Sequence, residues 1–191
     1  IEGATFEGYL FPDTYELTKG MTADEIIRRM SARFKEVYSA EFDMAARDRG
    51  ISMARVITLA SIIEKETGAP EERPLISAVF HNRLKKGMKL QSDPTVVYGI
   101  KDFNGNITKK DLLARTPYNT YANSGLPQGP IANPGRASIR AAINPAPDGY
   151  LYFVSRNDGT HVFSMSLIEH NKAVYRFQKT GRPVGQPGKN G

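Results

Sequence analysis

Two glutamates, Glu64 and Glu66, stand at the end of the most apolar stretch of the sequence, residues 56–68. At about 100° per residue, the apolar side chains of this stretch fall on one face of a helix, with one glutamate on each flank. Because apolar surroundings disfavour a charged carboxylate, a glutamate held there has a raised pKa and can act as a general acid at neutral pH. Two surface glutamates that simply end a buried helix produce the same pattern.

Enzymes that cleave glycosidic bonds with acidic side chains usually use two carboxyl groups. Hydrolytic glycosidases use one as an acid and the other as a base or nucleophile. In this sequence Glu64 has three candidate partners for such a pair: Asp93, Glu66 and Glu7.

Other kinds of chemistry are excluded by residues that the sequence lacks. It has no cysteine, so thiolate nucleophiles, disulfides and cysteine-based metal sites are excluded. His81, His161 and His170 have no spacing typical of metal ligands, and we expect neither a metal nor another cofactor. Glycine-rich phosphate loops, dinucleotide fingerprints and a serine nucleophile elbow are also missing.

Length and charge fit an ordinary globular protein. The chain has 191 residues, 40% of them apolar, and a net charge of +6. Its lysines and arginines are scattered, without the aromatic residues that a nucleic-acid groove interleaves with them, so no nucleic-acid partner is expected. We expect one catalytic domain over residues 1–180 and a disordered tail over 181–191. The start at Ile1, without Met, suggests a piece of a longer protein.

The periodicity predicts an α+β fold: a helical core around the central glutamate-bearing helix, with short strands and a β-hairpin near the C-terminus. A strand is predicted near residues 7–11, before a turn at Pro12. Thr22 and Ser52 are the expected caps of two helices, and Asp93 of a third. Arg83 is expected to face water. Predicted helices cover about 22–38, 40–49, 52–68, 108–113, 134–143 and 166–179. Another starts at Pro70 or Pro74 and ends at Gly87, a helical turn follows Asp93, and the hairpin covers 150–164.

The longest stretch without periodicity, residues 116–134, is rich in tyrosine and asparagine. Tyrosine rings offer flat faces to sugars, and amides can bond sugar hydroxyls. The stretch is therefore interpreted as an ordered binding loop, with a plain ordered connector as the alternative.

Several short motifs resemble, in order, those of the YceG-like family, the MltG-type endolytic murein transglycosylases. They cover about residues 5–175, with small departures at Gln128 and Ser92. The motifs are EGYLFPDTY (7–15), ASIIEKET (60–67), FHNRL (80–84), LQSDPTVVYG (90–99), YNTY (118–121) with GLP (125–127), YLYFV (150–154) and HVF (161–163).

This resemblance implies that Glu64 is the single catalytic acid and base, and that Glu66 has a structural role. The family cleaves the bond between N-acetylmuramic acid (MurNAc) and N-acetylglucosamine (GlcNAc) within glycan strands. It leaves a 1,6-anhydroMurNAc end, because the 6-hydroxyl of the same sugar closes the ring in place of water. The candidates for substrate contact or support of the acid are Glu7, Gln91, Ser92, Asp93, Tyr98, Tyr118, Asn119 and Tyr121.

The resemblance also implies a setting. Family members act on nascent peptidoglycan outside the bacterial cytoplasmic membrane, held there by an upstream membrane anchor and preceded by a small LysM-like domain. Peptidoglycan strands are the expected partner, and cell-wall synthesis enzymes are further candidate partners. Two alternatives stay open: a water-using muramidase that pairs Glu64 with Asp93, and a non-catalytic glycan-binding module.

Overall fold

A computed structural model describes residues 5–180, and the predicted tail over 181–191 lies outside the described residues. The described chain folds as α+β, as the sequence predicts, with helices packed around a central one and a two-stranded antiparallel hairpin. The helices are α1 (Ala23–Glu41), α2 (Asp43–Asp48), α3 (Met53–Glu66), α4 (Arg73–Lys85), α5 (Asp93–Tyr98), α6 (Lys109–Leu113), α7 (Arg136–Ile143) and α8 (Leu167–Val174). A 3-10 turn (Pro70–Glu72) precedes α4, and a π-helical turn (Tyr175–Lys179) extends α8.

Capping residues predicted most helix starts correctly. Thr22 and Ser52 accept hydrogen bonds from the first turns of α1 and α3, as predicted. The cap of α5 was predicted wrongly: Ser92 occupies the N-cap position, and Asp93 is the first helical residue. The helix starts one residue earlier than a cap at Asp93 would require, and Pro94 still falls in its first turn, where no N–H is needed.

The first described segment is irregular, so the strand predicted near residues 7–11 is wrong. A strand needs a neighbouring strand for its backbone N–H groups. Here the side chain of Asn133 accepts hydrogen bonds from the N–H groups of Gly8 (2.8 Å) and Leu10 (3.1 Å). The ring of Tyr9 packs edge-on against Phe34, with centroids 5.1 Å apart, and anchors the segment to the core.

Helix α3 is buried on every side rather than on one face. Each residue from Val56 to Ile63 is buried, and α7, α4 and α5 all pack against the helix. Glu64 and Glu66 therefore stand at the point where this buried helix leaves the core.

Helix α4 holds the C-terminal part of the chain through polar side chains. Arg83, which was predicted to face water, is only 8% exposed. Its Nε donates to the carbonyl of Leu151 (2.6 Å) and its Nη1 to that of Leu90 (2.8 Å). His81 and Asn82 likewise bond backbone carbonyls in the segment from the end of α7 to β1.

The C-terminal hairpin pairs β1 (Tyr152–Ser155) with β2 (His161–Ser164), inside the predicted limits. It is held against the start of α4 by Glu72, which accepts a hydrogen bond from the backbone N–H of His161 (2.8 Å). No helix within residues 5–180 is long and apolar enough to cross a membrane.

Gly8 provides a test of this packing, because the segment it belongs to has no strand to stabilise it. Its φ is +88°, and an added Cβ would lie 2.5 Å from Pro130 Cγ and 2.9 Å from Ile57 Cγ2. Gly8→Ala should lower the free energy of unfolding by about 3 kcal/mol, combining backbone strain with steric overlap.

The matched control is Gly20→Ala, where φ is +99° but no atom lies within 4 Å of the added Cβ. Backbone strain alone should cost about 1 kcal/mol there. Denaturant unfolding measures both variants, and equal losses would contradict the close packing at Gly8.

Candidate active site

Glu66, the last residue of α3, is partly buried and hydrogen-bonded to Ser92. The Ser92 hydroxyl donates to Glu66 Oε1, across 26 residues of sequence. Ser92 is itself 2% exposed, and its backbone N–H donates to the Thr120 hydroxyl (3.0 Å). Ser92, predicted as a possible substrate contact, thus lies behind the carboxyl group that it fixes.

A cavity of about 270 Å³, which we call the Glu66 cavity, opens beside this carboxyl group. Asp93 also lines it, and the Tyr121 hydroxyl donates to Asp93 Oδ1 (2.6 Å). The complete lining is Glu66, Arg83, Leu90, Gln91, Asp93, Tyr121, Phe153 and His170.

The environment of Glu66 favours its protonated form. Burial raises the pKa of Glu66 to about 7, and the nearby negative charge of Asp93 acts in the same direction. The hydrogen bond from Ser92 and the charge of Arg83 oppose this pKa shift, but burial outweighs them. Near neutral pH both protonation states are populated, which suits a group that first gives and then takes a proton.

Glu64 lies in different surroundings. Its Oε2 accepts hydrogen bonds from the backbone N–H of Gly135 (3.0 Å) and the hydroxyl of Ser138 (2.6 Å), and Arg73 Nη2 is 3.7 Å from its Oε1. Gly135 is the N-cap of α7 and Ser138 lies in its first turn, so both hydrogen-bond donors to Glu64 belong to the start of that helix, where the dipole favours a negative charge. Glu64 does not line the Glu66 cavity.

A second concavity, of about 440 Å³, lies next to the first and is called here the Tyr98 groove. The Tyr98 and Tyr118 rings have centroids 4.6 Å apart, and Glu7 lies close enough that its charge, after burial, raises the pKa of Tyr98. The lining is Lys65, Asp93, Pro94, Val97, Tyr98 and Ile131. Asp93 lines both concavities, which therefore adjoin.

The predicted site residues thus fall into three sets. Gln91, Asp93 and Tyr121 gather around Glu66 and not around Glu64. Tyr98 lines the Tyr98 groove, and Glu7 and Tyr118 lie beside Tyr98 without lining the groove. The remaining two, Ser92 and Asn119, are buried.

Asn119 does not fit the expected role of substrate contact. It is 1% exposed, and its amide nitrogen donates to the carbonyls of Ala114 (2.7 Å) and Asp111 (3.0 Å). Its amide oxygen accepts from the backbone N–H of Tyr121 (2.8 Å). With both ends of its amide engaged, Asn119 shapes the loop that presents Tyr121.

Four residues of the Glu66 cavity were not predicted as site residues: Arg83, Leu90, Phe153 and His170. Arg83 and Phe153 occur within motifs that carry the family resemblance, so a signal for them existed. His170 lies outside those motifs, and its spacing to other histidines gave no indication of a role. Only the packing of α8 against the hairpin brings it to the cavity.

Comparison with known proteins adds to this geometry. A sequence profile of the YceG-like family matches residues 2–176. The chain belongs to the YceG-like family. Its relatives in this family include the endolytic murein transglycosylase of Bacillus subtilis (strain 168), which is 41% identical over 171 residues, covering 90% of this chain and 48% of that protein.

Two further matches agree with this membership. The endolytic murein transglycosylase of Streptococcus pneumoniae serotype 2 (strain D39) is 32% identical over 174 residues, covering 88% of this chain and 31% of that protein. A crystal structure of a yceG-like protein from Listeria monocytogenes matches with a TM-score of 0.80 and 41% identity, covering 87% of this chain and 54% of that one. This YceG-like chain thus spans about half or less of the proteins it matches.

The raised pKa of Glu66 predicts a pH-dependent effect of Glu66→Gln on stability. In the unfolded chain Glu66 ionises near its ordinary value of 4.5, whereas in the folded chain its pKa is about 7. Folding therefore binds a proton between these values, and wild type should lose stability relative to Glu66→Gln as pH rises from about 4.5 to 7. Thermal unfolding of both proteins between pH 3 and 8 measures the difference.

Glu169→Gln, at the start of α8, is the control with the opposite sign. Hydrogen bonds from Ser166 and Met165 lower the pKa of Glu169, so its contribution is present above the unfolded pKa and lost as pH falls. A pH-independent difference between wild type and Glu66→Gln would contradict the buried, protonated state of Glu66.

Proposed function

We propose that this chain is the catalytic part of an endolytic peptidoglycan lytic transglycosylase. It cleaves the MurNAc–GlcNAc bond within glycan strands and forms 1,6-anhydroMurNAc ends. The observation that carries the proposal is a cavity lined by Glu66, Asp93 and Tyr121, in which burial raises the pKa of Glu66 to about 7. The names of the relatives, endolytic murein transglycosylases, support the same reaction.

We assign the acid–base role to Glu66 rather than to Glu64, the residue that the resemblance implies. Glu66 faces the cavity around which Asp93, Tyr121 and Gln91 gather. Glu64 is occupied as an acceptor for the first turn of α7. A general acid needs a proton to give at neutral pH and access to substrate, and Glu66 meets both requirements.

The reaction then needs one carboxyl group. Protonated Glu66 donates to the glycosidic oxygen while the bond from that oxygen to C1 of MurNAc breaks and C1 becomes oxocarbenium-like. The resulting Glu66 carboxylate accepts the proton of the 6-hydroxyl of the same sugar, whose oxygen bonds to C1. Glu66 ends protonated, as it began. Because the nucleophile belongs to the substrate, it reacts at high effective concentration, and no second carboxylate is needed to activate water.

The residues around Glu66 fit supporting roles in this reaction. Ser92 fixes the orientation of the carboxyl group through its hydrogen bond. Asp93, held by the Tyr121 hydroxyl, places negative charge beside the centre where positive charge develops. The ring of Tyr98, packed against Tyr118, offers an apolar face in the adjoining groove to a neighbouring sugar of the strand.

The presence of Asp93 in the same cavity favours one alternative, a muramidase that uses Glu66, Asp93 and a water molecule. The two reactions differ in their products. A transglycosylase leaves anhydro ends without adding water, and a muramidase leaves reducing ends.

The setting of this activity belongs to the same proposal. A peptidoglycan substrate places the domain in the bacterial cell wall, on the outer side of the cytoplasmic membrane. An upstream anchor would hold it there, and cell-wall synthesis enzymes would be its neighbours, as the family resemblance implies.

Digestion of purified sacculi, followed by mass spectrometry of the released glycans, tests the reaction and the assignment together. Wild type should release 1,6-anhydroMurNAc ends. Glu66→Gln should lose at least ~10²-fold in rate, because the amide has no proton to donate as an acid. Glu64→Gln is the matched control and should lose less than about tenfold, since its amide oxygen still accepts hydrogen bonds from α7.

If Glu64→Gln loses the larger share of the rate and Glu66→Gln the smaller, the acid–base role belongs to Glu64. Reducing ends in place of anhydro ends would favour the muramidase. Glycan binding without any cleavage by wild type would leave the binding-module alternative.

A further inference from the structure

His170 has no role in the reaction described above, yet its side chain lines the Glu66 cavity. It comes from α8, the last element of the fold, and faces the cavity together with Phe153 of the hairpin. The imidazole lies nearly parallel to the ring of Tyr152, with centroids 5.2 Å apart and an interplanar angle of 23°. The orientation of His170 therefore depends on the hairpin.

The support beneath this stack is rigid. The Arg83 guanidinium carbon lies 5.2 Å from the centroid of the Tyr152 ring. Arg83 is fixed by three backbone carbonyls, those of Leu151 (2.6 Å), Leu90 (2.8 Å) and Lys89 (3.3 Å). A side chain held this way loses little conformational entropy when a ligand binds.

The two ring nitrogens of His170 differ in their surroundings. Nδ1 is buried and has no hydrogen-bond partner within residues 5–180. Nε2 likewise has no hydrogen-bond partner in that part of the chain. Unlike Nδ1, Nε2 is not buried, so it can bind a ligand in the cavity.

These surroundings determine the protonation of the ring. Burial lowers the pKa of His170 from its ordinary value, and the charge of Arg83 lowers this pKa further. A cationic ring would also bury an N–H group at Nδ1 without an acceptor. Since orphaned buried N–H groups are rarer than under-satisfied acceptors, the neutral form with its proton on Nε2 is favoured.

Few N–H donors of the cavity are free to bind a ligand. Nε and Nη1 of Arg83 donate to carbonyls and the Tyr121 hydroxyl donates to Asp93, so within residues 5–180 the free N–H donors are Nη2 of Arg83, the amide of Gln91 and Nε2 of His170. Glu66 and Asp93 provide acceptors for sugar hydroxyl and amide N–H groups. A sugar carbonyl in the cavity needs an N–H donor, and Nε2 of His170 is a free donor whose direction is fixed by the stack of the imidazole on Tyr152.

We propose that His170 is a substrate-binding residue whose Nε2–H donates a hydrogen bond to an acetamido carbonyl oxygen of the glycan in the Glu66 cavity. Both sugars of peptidoglycan carry an acetamido group, and an amide carbonyl accepts hydrogen bonds strongly. His170 would thus contribute selectivity for N-acetylated strands. This inference depends on the proposed glycan-cleaving function.

Binding to a protein that cannot cleave its ligand tests the inference. The background is Glu66→Gln, and the ligands are soluble GlcNAc–MurNAc strands without peptide, either intact or chemically de-N-acetylated, with affinity measured by calorimetry. Three variants separate the contributions of the ring. His170→Phe keeps an aromatic ring on Tyr152, His170→Gln places an amide near the position of Nε2, and His170→Asn places one near Nδ1.

His170→Phe and His170→Asn should each weaken binding of intact strands about tenfold, the effect of losing one neutral hydrogen bond. His170→Gln should restore most of the affinity. In the His170→Phe variant the preference for intact over de-N-acetylated strands should shrink by a similar factor. With Glu66 restored, the effect of His170→Phe should appear in KM for sacculi more than in kcat.

Three results would overturn the inference. The first is unchanged affinity for intact strands in all variants, and the second is an equal loss of affinity in His170→Gln and His170→Asn. The third is a loss of affinity that correlates with the melting temperature of the variants and not with the position of the amide. If wild type forms anhydro products while His170→Phe binds strands as well as its parent, only the role of His170 fails. If wild type forms no product and the Glu66→Gln protein binds no strand, the proposed function fails with it.

Discussion

The burial of α3 on all sides is the constraint on which the rest of this structure depends. Five large aliphatic side chains of this helix, Val56, Ile57, Leu59, Ile62 and Ile63, are at most 3% exposed. Each stabilises the fold by about 2 kcal/mol, which together matches the whole stability of a typical domain. Keeping Glu66 in surroundings that raise its pKa to about 7 costs only a few kcal/mol by comparison. The core is therefore stable enough to hold the Glu66 carboxyl group in surroundings that disfavour its ionised form.

One helix end gives its two glutamates different tasks. Residues two apart on a helix point in nearly opposite directions, so Glu64 and Glu66 cannot share a site. Glu64 turns towards the start of α7, where it accepts hydrogen bonds from the Gly135 N–H and the Ser138 hydroxyl. Glu66 turns towards α5 and the loop behind it, where Ser92 holds it. The same helix thus joins the core to the cavity.

The parts of the fold that were predictable from the sequence are those set by neighbouring residues. Thr22 and Ser52 cap their helices through contacts within one turn, and the hairpin follows from the turn residues between its strands. The opposite flanks of Glu64 and Glu66 also followed from helical periodicity alone. These features need no knowledge of distant segments.

The features that were missed depend on residues far apart in sequence. Ser92, the hydrogen-bond partner of Glu66, is 26 residues away in sequence, and Ser138, a partner of Glu64, is 74 residues away. Helical periodicity could therefore not indicate which of the two carboxyl groups lines the cavity. Arg83 was expected in water because arginine is usually exposed, and its carbonyl partners belong to the segment before β1 and to the end of the α4–α5 connection. The strand predicted near residues 7–11 failed for a similar reason, since Asn133 takes the N–H groups of Gly8 and Leu10.

The central claim is that Glu66 is the carboxyl group that carries a proton at neutral pH. Nuclear magnetic resonance of ¹³C-labelled glutamate carboxyl groups, titrated from pH 3 to 9 and assigned by comparison with Glu66→Gln, measures this directly. The structure predicts that the Glu66 resonance titrates with a pKa of about 7. A Glu66 resonance that titrates near the ordinary value of 4.5 would contradict it.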